Sequence, residues 1–312
     1  MTAFLINLLQ IVFLIALAPL VTGLIKKVKA LLQTRRGPRI YQPYLDLYKY
    51  MQKESVVSEH TSRIFRVTPF IYLSALIVAA GLMPVISTQG LFNFSGDLIL
   101  IVYLFALARF FLALAGLDAG SAFGGMASSR EMAVSSVAEP VVMLPMFIMA
   151  VVVGTTNLTG IVSTVEQTGA LLLTPTHWLA FIAFFVVAIA ETGRIPVDNP
   201  DTHLELTMIH EGMLLEYSGK PLALLSLGAS LKQLLIFTLM ANVFFPWGIA
   251  GGLGLGQIAL AIVTYLAKIS IFSLAMAVIE TSMAKMRLFK VPGLLLGSFL
   301  LAFLGLVSKF VL

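Results

Sequence analysis

Six carboxylates and two histidines crowd into residues 190–220, "AETGRIPVDNPDTHLELTMIHEGMLLEYSGK", of a chain that is 59% hydrophobic and only 11% charged. Side chains of these types exchange protons, bind metals or pair with cations, and their spacing separates those chemistries. "HEGML" has the start of the H-E-x-x-H zinc motif, but the position for the second histidine is Leu214. His203 and His210 stand about 10.5 Å apart along a helix axis, too far to share a zinc ion. No phosphate-binding glycine loop, dinucleotide fingerprint or Ser/His/Asp set is readable, so no catalytic residue is assigned. Proton exchange and ion pairing remain. On a helix with Asn199 as N-cap, Pro200 at its first position and Gly219 as its stop, Asp201, Glu205 and Glu216 share one side within about 60°, and His203 and His210 lie roughly opposite. Neighbouring acids repel, which raises the pKa of some of them if they are partly buried. The plainer alternative is a solvated acidic helix face.

A second set of ionisable residues lies where water is scarce. Arg109, Glu139, Lys232 and Lys268 fall inside apolar runs, at depths of roughly 9–15 Å from the expected cytoplasmic ends. A charge at mid-membrane costs roughly 2.5–3.5 kcal/mol on insertion scales, so each should face protein or water and seek a partner. Glu191 and Glu280 stand near the cytoplasmic ends of their runs. Together these residues describe a polar path that enters from the cytoplasm and reaches about halfway across; ion pairing for stability alone is the alternative.

The elements that must position these groups are membrane helices. Across 312 residues, mean hydropathy is +0.99 and apolar runs of spanning length recur, each long enough to cross about 30 Å of hydrocarbon. The expected fold class is an all-α integral membrane protein, one polytopic domain over 1–312, with eight helices near 3–25, 67–87, 97–117, 133–154, 172–191, 223–247, 253–278 and 291–311. "MTAFLINLLQIVFLIALAPLVTG" has no basic region ahead of its apolar run, so it is expected to be a retained first helix. The segment 26–66 carries ten Lys and Arg, and 118–132, 192–222 and 279–290 carry six more, whereas the opposite loops carry none. Cations mark the cytoplasmic side, so these four loops should be cytoplasmic and both termini non-cytoplasmic. The net charge of +5 therefore reads as topology, not nucleic-acid binding. In the first loop, Pro38 and Pro43 break a continuous helix, and the mix of Leu, Tyr, Lys and Glu from Tyr44 suits a helix lying at the interface. The chain has no cysteine, which excludes thiolate-bound iron–sulfur clusters, Cys-ligated zinc and internal disulfides. Neither a fixed-period repeat nor a two-half symmetry of the transporter kind is evident.

These residues resemble the subunit 1 family of respiratory complex I, which also supplies the membrane anchor of energy-converting nickel–iron hydrogenases. The family loop has the form E-T-x-R-x-P-x-D-x-x-E-x-E-x-E-L followed by E-Y-S-G; Glu191, Thr192, Arg194, Pro196, Asp198, Glu205 and Leu206 fill matching positions, and Glu216-Tyr217-Ser218-Gly219 supplies the ending. "RRGPRIYQPYLDLYKYMQKE" is similar to the family's R-R-G-P segment. "YLFALARFFLALAGLDAGSAFGGMASSREM", "AEPVVML", "SLKQLL" and "ETSMAKMRL" resemble the anchor subunit of formate hydrogenlyase and hydrogenase-4 complexes. Asp201 and His203 stand where the respiratory form has glutamates, and about three extra residues precede Glu216; both departures count against quinone binding, which the respiratory branch would imply.

The resemblance implies a non-catalytic membrane subunit in the cytoplasmic (inner) membrane. Such a subunit docks a peripheral redox arm and links its electron transfer to proton or sodium movement. The charge path would comprise Glu139, Glu191, Asp198, Asp201, Glu205, Glu216, Arg109, Lys232, Lys268 and Glu280. Docking would fall to Arg35, Arg36, Arg39, Arg130, Arg194 and Tyr217, with Arg130 and Arg194 holding the loops electrostatically. Implied partners are hydrogenase-like large and small subunits carrying nickel–iron and iron–sulfur centres, iron–sulfur subunits and antiporter-like membrane subunits, with no cofactor on this chain. The alternatives are a quinone-site subunit of a complex I-like enzyme and a stand-alone ion transporter.

Overall fold

A computed structural model describes residues 2–87, 96–169, 174–199, 208–250 and 254–311. Ten α-helices run through these residues: α1 (Thr2–Leu32), α2 (Gln42–Gln52), α3 (Arg63–Leu82), α4 (Asp97–Asp118), α5 (Ala122–Val153), α6 (Leu158–Gln167), α7 (Pro175–Glu191), α8 (Gly219–Phe244), α9 (Leu255–Ser282) and α10 (Val291–Val311). Seven are long and apolar enough to cross a membrane, and α7 adds a shorter apolar helix of 17 residues. At 1.5 Å per residue α7 spans about 25 Å, the short limit for a crossing helix. The chain is an all-helical, multi-pass membrane protein.

Helix limits depart from expectation where tertiary contacts extend a helix or end it. α5 starts at Ala122, well before residue 133, so the expected loop 118–132 is mostly helix. Its start is set by Ser121, whose side chain accepts from Gly124 N at 3.1 Å. The connection from α4 is tight enough that a Cβ on Gly124 would meet Gly116 O at 2.6 Å. α1 runs on to Leu32 and takes Lys26, Lys27 and Lys29 into the helix, while α2 occupies the place expected for the interface helix. The helix anticipated from Asn199 to Gly219 is not what residues 208–218 adopt: they hold only a 3₁₀ turn, Glu211–Leu214, and Gly219, at φ +57°, opens α8 instead of ending a helix. The Ile209 and His210 backbone donors bond to the Asp198 carboxylate, and those of Met213 and Tyr217 close single turns onto His210 and Leu214, so no continuous helical ladder forms. The remainder of that expected helix, with Asp201, His203 and Glu205, lies outside the described residues.

α8 is the axis of the bundle. Every residue from Leu231 to Phe244 is buried, the pattern of a helix enclosed on all sides, with α1, α2, α3, α6, α7 and α9 packed around it. α9 and α10 lie outside and expose Leu260, Val263, Ile271, Leu296 and Leu300. α3 and α4 are pinned where the N-terminus of one meets the C-terminus of the other: Asp118 accepts from Ser62 N at 2.8 Å and Phe65 N at 3.2 Å, a carboxylate against the positive end of a helix.

Candidate functional site

The end of α7 is where the buried charges converge. Arg109, on α4, donates from Nη1 to Glu191 Oε1 at 2.6 Å and from Nη2 to Glu139 Oε1, on α5, at 2.9 Å. Lys232, on α8, places Nζ 3.1 Å from Glu191 Oε2. Arg109, Glu191 and Lys232 are buried, but the Glu139 side chain is 44% exposed and opens into a groove with Tyr103, Leu107 and Phe110 on the outer face of the bundle. Opposite charges thus alternate from the axial helix to the surface. Removing one member of a buried pair leaves its partner uncompensated, at a cost of about 3–5 kcal/mol.

A second cluster ties the segment after α7 to both α1 and α9. Arg194 Nη1 donates to Glu280 Oε1 at 3.3 Å and Nη2 to Gln233 Oε1 at 2.7 Å, while Lys29 Nζ lies 3.1 Å from Glu280 Oε2. Arg194 and Glu280 are both buried.

The third cluster is centred on Asp198. Its Oδ2 accepts from Ile209 N at 3.2 Å and His210 N at 3.1 Å, and its Oδ1 from Lys285 Nζ at 2.8 Å. His210 Nδ1 lies 3.5 Å from Asp198 Oδ2, and Nε2 lies 3.3 Å from Glu131 Oε2 on α5. Burial alone raises the Asp198 pKa, but bonding to His210 and Lys285 outweighs it and holds the carboxyl well below its usual range. For His210 burial favours the neutral ring, yet the nearby Glu131 and Asp198 carboxylates prevail, and its pKa is raised. Glu211 beside it is raised by burial, against the opposing charges of His210 and Lys26. The ring rests on Gly193, at φ +60°, where a Cβ would meet Nδ1 at 2.7 Å; only glycine fits both the turn and the ring.

These groups surround a cavity of about 400 Å³ between α1, α2, α8 and the segment that follows α7, walled by Lys26, Asp46, Tyr50, Arg194, His210 and Glu211 among others. The volume is that of a small-ligand pocket, but such pockets are mostly apolar, whereas this lining is rich in ionisable groups suited to water and proton exchange. Among the described residues no group of three or more His, Cys, Asp or Glu is placed to hold a metal ion.

Of the residues expected on a charge path, Glu139, Glu191, Arg109 and Lys232 form one network, Glu280 belongs to the second and Asp198 to the third. Lys268 is not among them. It bonds to the Trp247 carbonyl and stands over that ring, toward the end of α9 remote from Glu280, because its long side chain follows the nearest polar exit. Glu216 is exposed, and Asp201 and Glu205 are outside the described residues. Among the docking candidates, Arg35, Arg36 and Arg39 are exposed. Arg130 Nη1 instead donates to Met208 O at 3.2 Å, so it holds the loop. Arg194 is buried in its ion pair, and Tyr217 is buried with its ring stacked on Phe65 at 3.9 Å and its hydroxyl donating to Phe65 O at 2.8 Å. Both direct their polar atoms to groups inside the chain. In the sequence His210 stands out only as a zinc ligand, which is rejected, and as part of a helix face; Glu131, Lys29 and Lys285 are not among the candidates. Glu131 falls within the expected loop 118–132, although Ala127, Val134 and Ala138 mark the buried helix face it shares.

Residues 5–309 match the protein family described as NADH dehydrogenase. Formate hydrogenlyase subunit 4 of Escherichia coli is 36% identical over 310 residues, covering 96% of this chain and 97% of that protein. Hydrogenase-4 component C of the same organism is 35% identical over 278 residues, covering 89% and 87%. A subunit of the NADH-quinone oxidoreductase of a Chelativorans species is 28% identical over 239 residues, covering 70% and 67%. A chain in the solved structure of a membrane-bound sulfane sulfur reductase, an archaeal respiratory membrane complex, superposes with a TM-score of 0.83 at 22% identity over 98% of this chain and 99% of that one, which shows a shared fold.

Proposed function

The chain belongs to the NADH dehydrogenase subunit 1 family, and from that premise we propose that it is the membrane anchor and coupling subunit of a hydrogenase-type, complex I-related oxidoreductase. The observation that carries this reading is the line of alternating charge Lys232–Glu191–Arg109–Glu139, which begins under the segment after α7 and ends at a half-exposed carboxylate on the bundle's outer face. In this reading the eight apolar helices cross the cytoplasmic (inner) membrane with both termini outside. Segments 26–66, 118–132, 192–222 and 279–290 face the cytoplasm. Arg35, Arg36 and Arg39 meet a peripheral arm that bears the nickel–iron and iron–sulfur centres. A change of charge at that arm is felt by Asp198 and Glu191 and passed by electrostatic displacement to Glu139, whose open side is covered by an antiporter-like membrane subunit. Glu139 supports that assignment because a carboxylate facing hydrocarbon is costly, whereas one facing a polar partner helix is not.

The test is the assembled complex in sealed vesicles. Glu139→Gln removes charge and little volume, so the complex should still form and retain its soluble subunits, while ion translocation per redox turnover falls severalfold. Purification of the wild-type chain without any metal-centre subunit would sink the anchor reading. Loss of assembly with normal coupling in the remaining complex would make Glu139 structural. The second reading, a quinone site in the 400 Å³ cavity, rests on the similarity to the NADH-quinone oxidoreductase subunit. The cavity's ionisable walls count against it, and inhibition by a quinone analogue would restore it.

A further inference from the structure

The proposed line has a gap. Asp198 and Lys285 lie at the loop, Glu191 and Arg109 lie in the bundle, and among the described residues no ion pair joins the two groups directly. One imidazole stands in that gap. His210 touches Asp198 on one side and Glu131 on the other, and Glu131 lies within electrostatic range of Arg109 and Tyr72. Glu131 is buried, and its other polar neighbour is the Ser135 hydroxyl at 3.5 Å. Asp198, by contrast, keeps Lys285 and three backbone donors, Asn199 N, Ile209 N and His210 N, whatever the state of the imidazole. The two carboxylates therefore depend on His210 unequally.

We propose that His210 is the protonation switch joining the loop after α7 to the buried charge line, with a proton that passes between its Nε2 and the Glu131 carboxylate 3.3 Å away as the movable element. When the Asp198 carboxylate is displaced from the ring, the Nε2–H bond breaks and an Oε2–H bond forms on Glu131. The ring's positive charge and the carboxylate's negative charge disappear together, and Arg109 loses one of the anions in its field. The reverse step restores both charges. This inference rests on the coupling reading but concerns residues outside the line assigned there.

The surroundings of the ring set the sign. From α5 it meets Glu131, with Arg130 bonded to the nearby Met208 carbonyl. From the segment after α7 it meets Asp198, and through Asp198 it meets Lys285, which follows α9. Lys232 of α8 opposes its charge from a distance, and Glu211 adjoins it in its own turn. The carboxylates prevail, so the protonated ring is favoured to a higher pH than the ordinary 6.5. Pairing that needs the charged ring is thus complete below that ordinary value and is lost as pH rises through the raised one.

Hydrogen exchange of the 208–214 segment in the assembled complex tests this over about pH 5.5–8.5, the range in which a histidine titrates, after correction for intrinsic exchange. Wild type should lose protection in one step on the alkaline side. Glu131→Gln should move that step toward acid by on the order of one pH unit, because the anion that favours the charged ring is gone. His210→Gln should abolish the step, and the pH dependence of ion movement per turnover should flatten with it. A step that survives in His210→Gln, or a wild type with none, overturns the proposal. If the glutamine variant fails to assemble, an unmoved step in Glu131→Gln overturns it alone. Because exchange is read without turnover, failure here is distinct from failure of the coupling reading, which would show as wild-type complex that moves no ions.

Discussion

At the residue scale, Glu191 is the shared anion of two cations, Arg109 at 2.6 Å and Lys232 at 3.1 Å, while each cation's loss would leave Glu191 still paired. Glu191→Gln should therefore cost more than Lys232→Gln: on the order of 3–5 kcal/mol, from stranding buried positive charge, against a smaller loss for the lysine variant. Thermal melting of the solubilised complex reads the difference, and equal melting points would show that Glu191 is not the centre of the network. Asp198 and His210 respond to pH from opposite sides. The lowered Asp198 pKa means that its contribution is fully present above the ordinary 3.8 and is lost only as pH falls through its depressed value. The raised His210 pKa sets the alkaline limit. Between the two limits the charges of Asp198, Lys285, His210 and Glu131 balance, which is where the loop should be best ordered.

At the element scale, the Glu216-Tyr217-Ser218-Gly219 ending works as a clasp between two distant segments. Ser218 Oγ accepts from Val56 N at 2.8 Å and donates to Val56 O at 3.1 Å, and Tyr217 donates to Phe65 O. Gly219 lets Lys53 and Glu54 pass: a Cβ would sit 2.6 Å from Glu54 O, at a φ of +57°. Tyr217→Phe keeps the ring stack and should cost about 1–3 kcal/mol for the carbonyl left without its donor. Gly219→Ala adds backbone strain and a clash with a carbonyl oxygen, so it should loosen residues 53–66 far more. Hydrogen exchange of that segment ranks the two variants, and a silent Gly219→Ala would mean that the close approach is not needed.

At the scale of the whole molecule, the absence of cysteine from the sequence makes sidedness directly measurable. Lys290 and Glu166 are both exposed and belong to segments that the cation bias places on opposite faces. In intact cells a membrane-impermeant maleimide should modify Glu166→Cys and spare Lys290→Cys; in inverted vesicles the pattern should reverse. Labelling of Lys290→Cys from outside would invert the topology and move the clusters around α7 away from any cytoplasmic redox arm.

Composition and hydropathy by themselves determined that this is a bundle of membrane helices, because a run of apolar residues long enough to cross lipid admits few other structures. The sequence also located the charged residues that would need partners. Which partner each one takes was decided only by tertiary structure. Arg109 and Glu191 are 82 residues apart and Arg194 and Glu280 are 86 apart, and the choice depends on how each helix is rotated about its axis. The pairing of Glu131 with His210 followed from where α5 begins, which rests on one serine cap and a glycine contact. The contacts of His210 and Tyr217 followed from how the segment after α7 folds back on the bundle. Spacing along the chain cannot specify such pairings, since any buried cation would satisfy any buried acid that packing brings within reach.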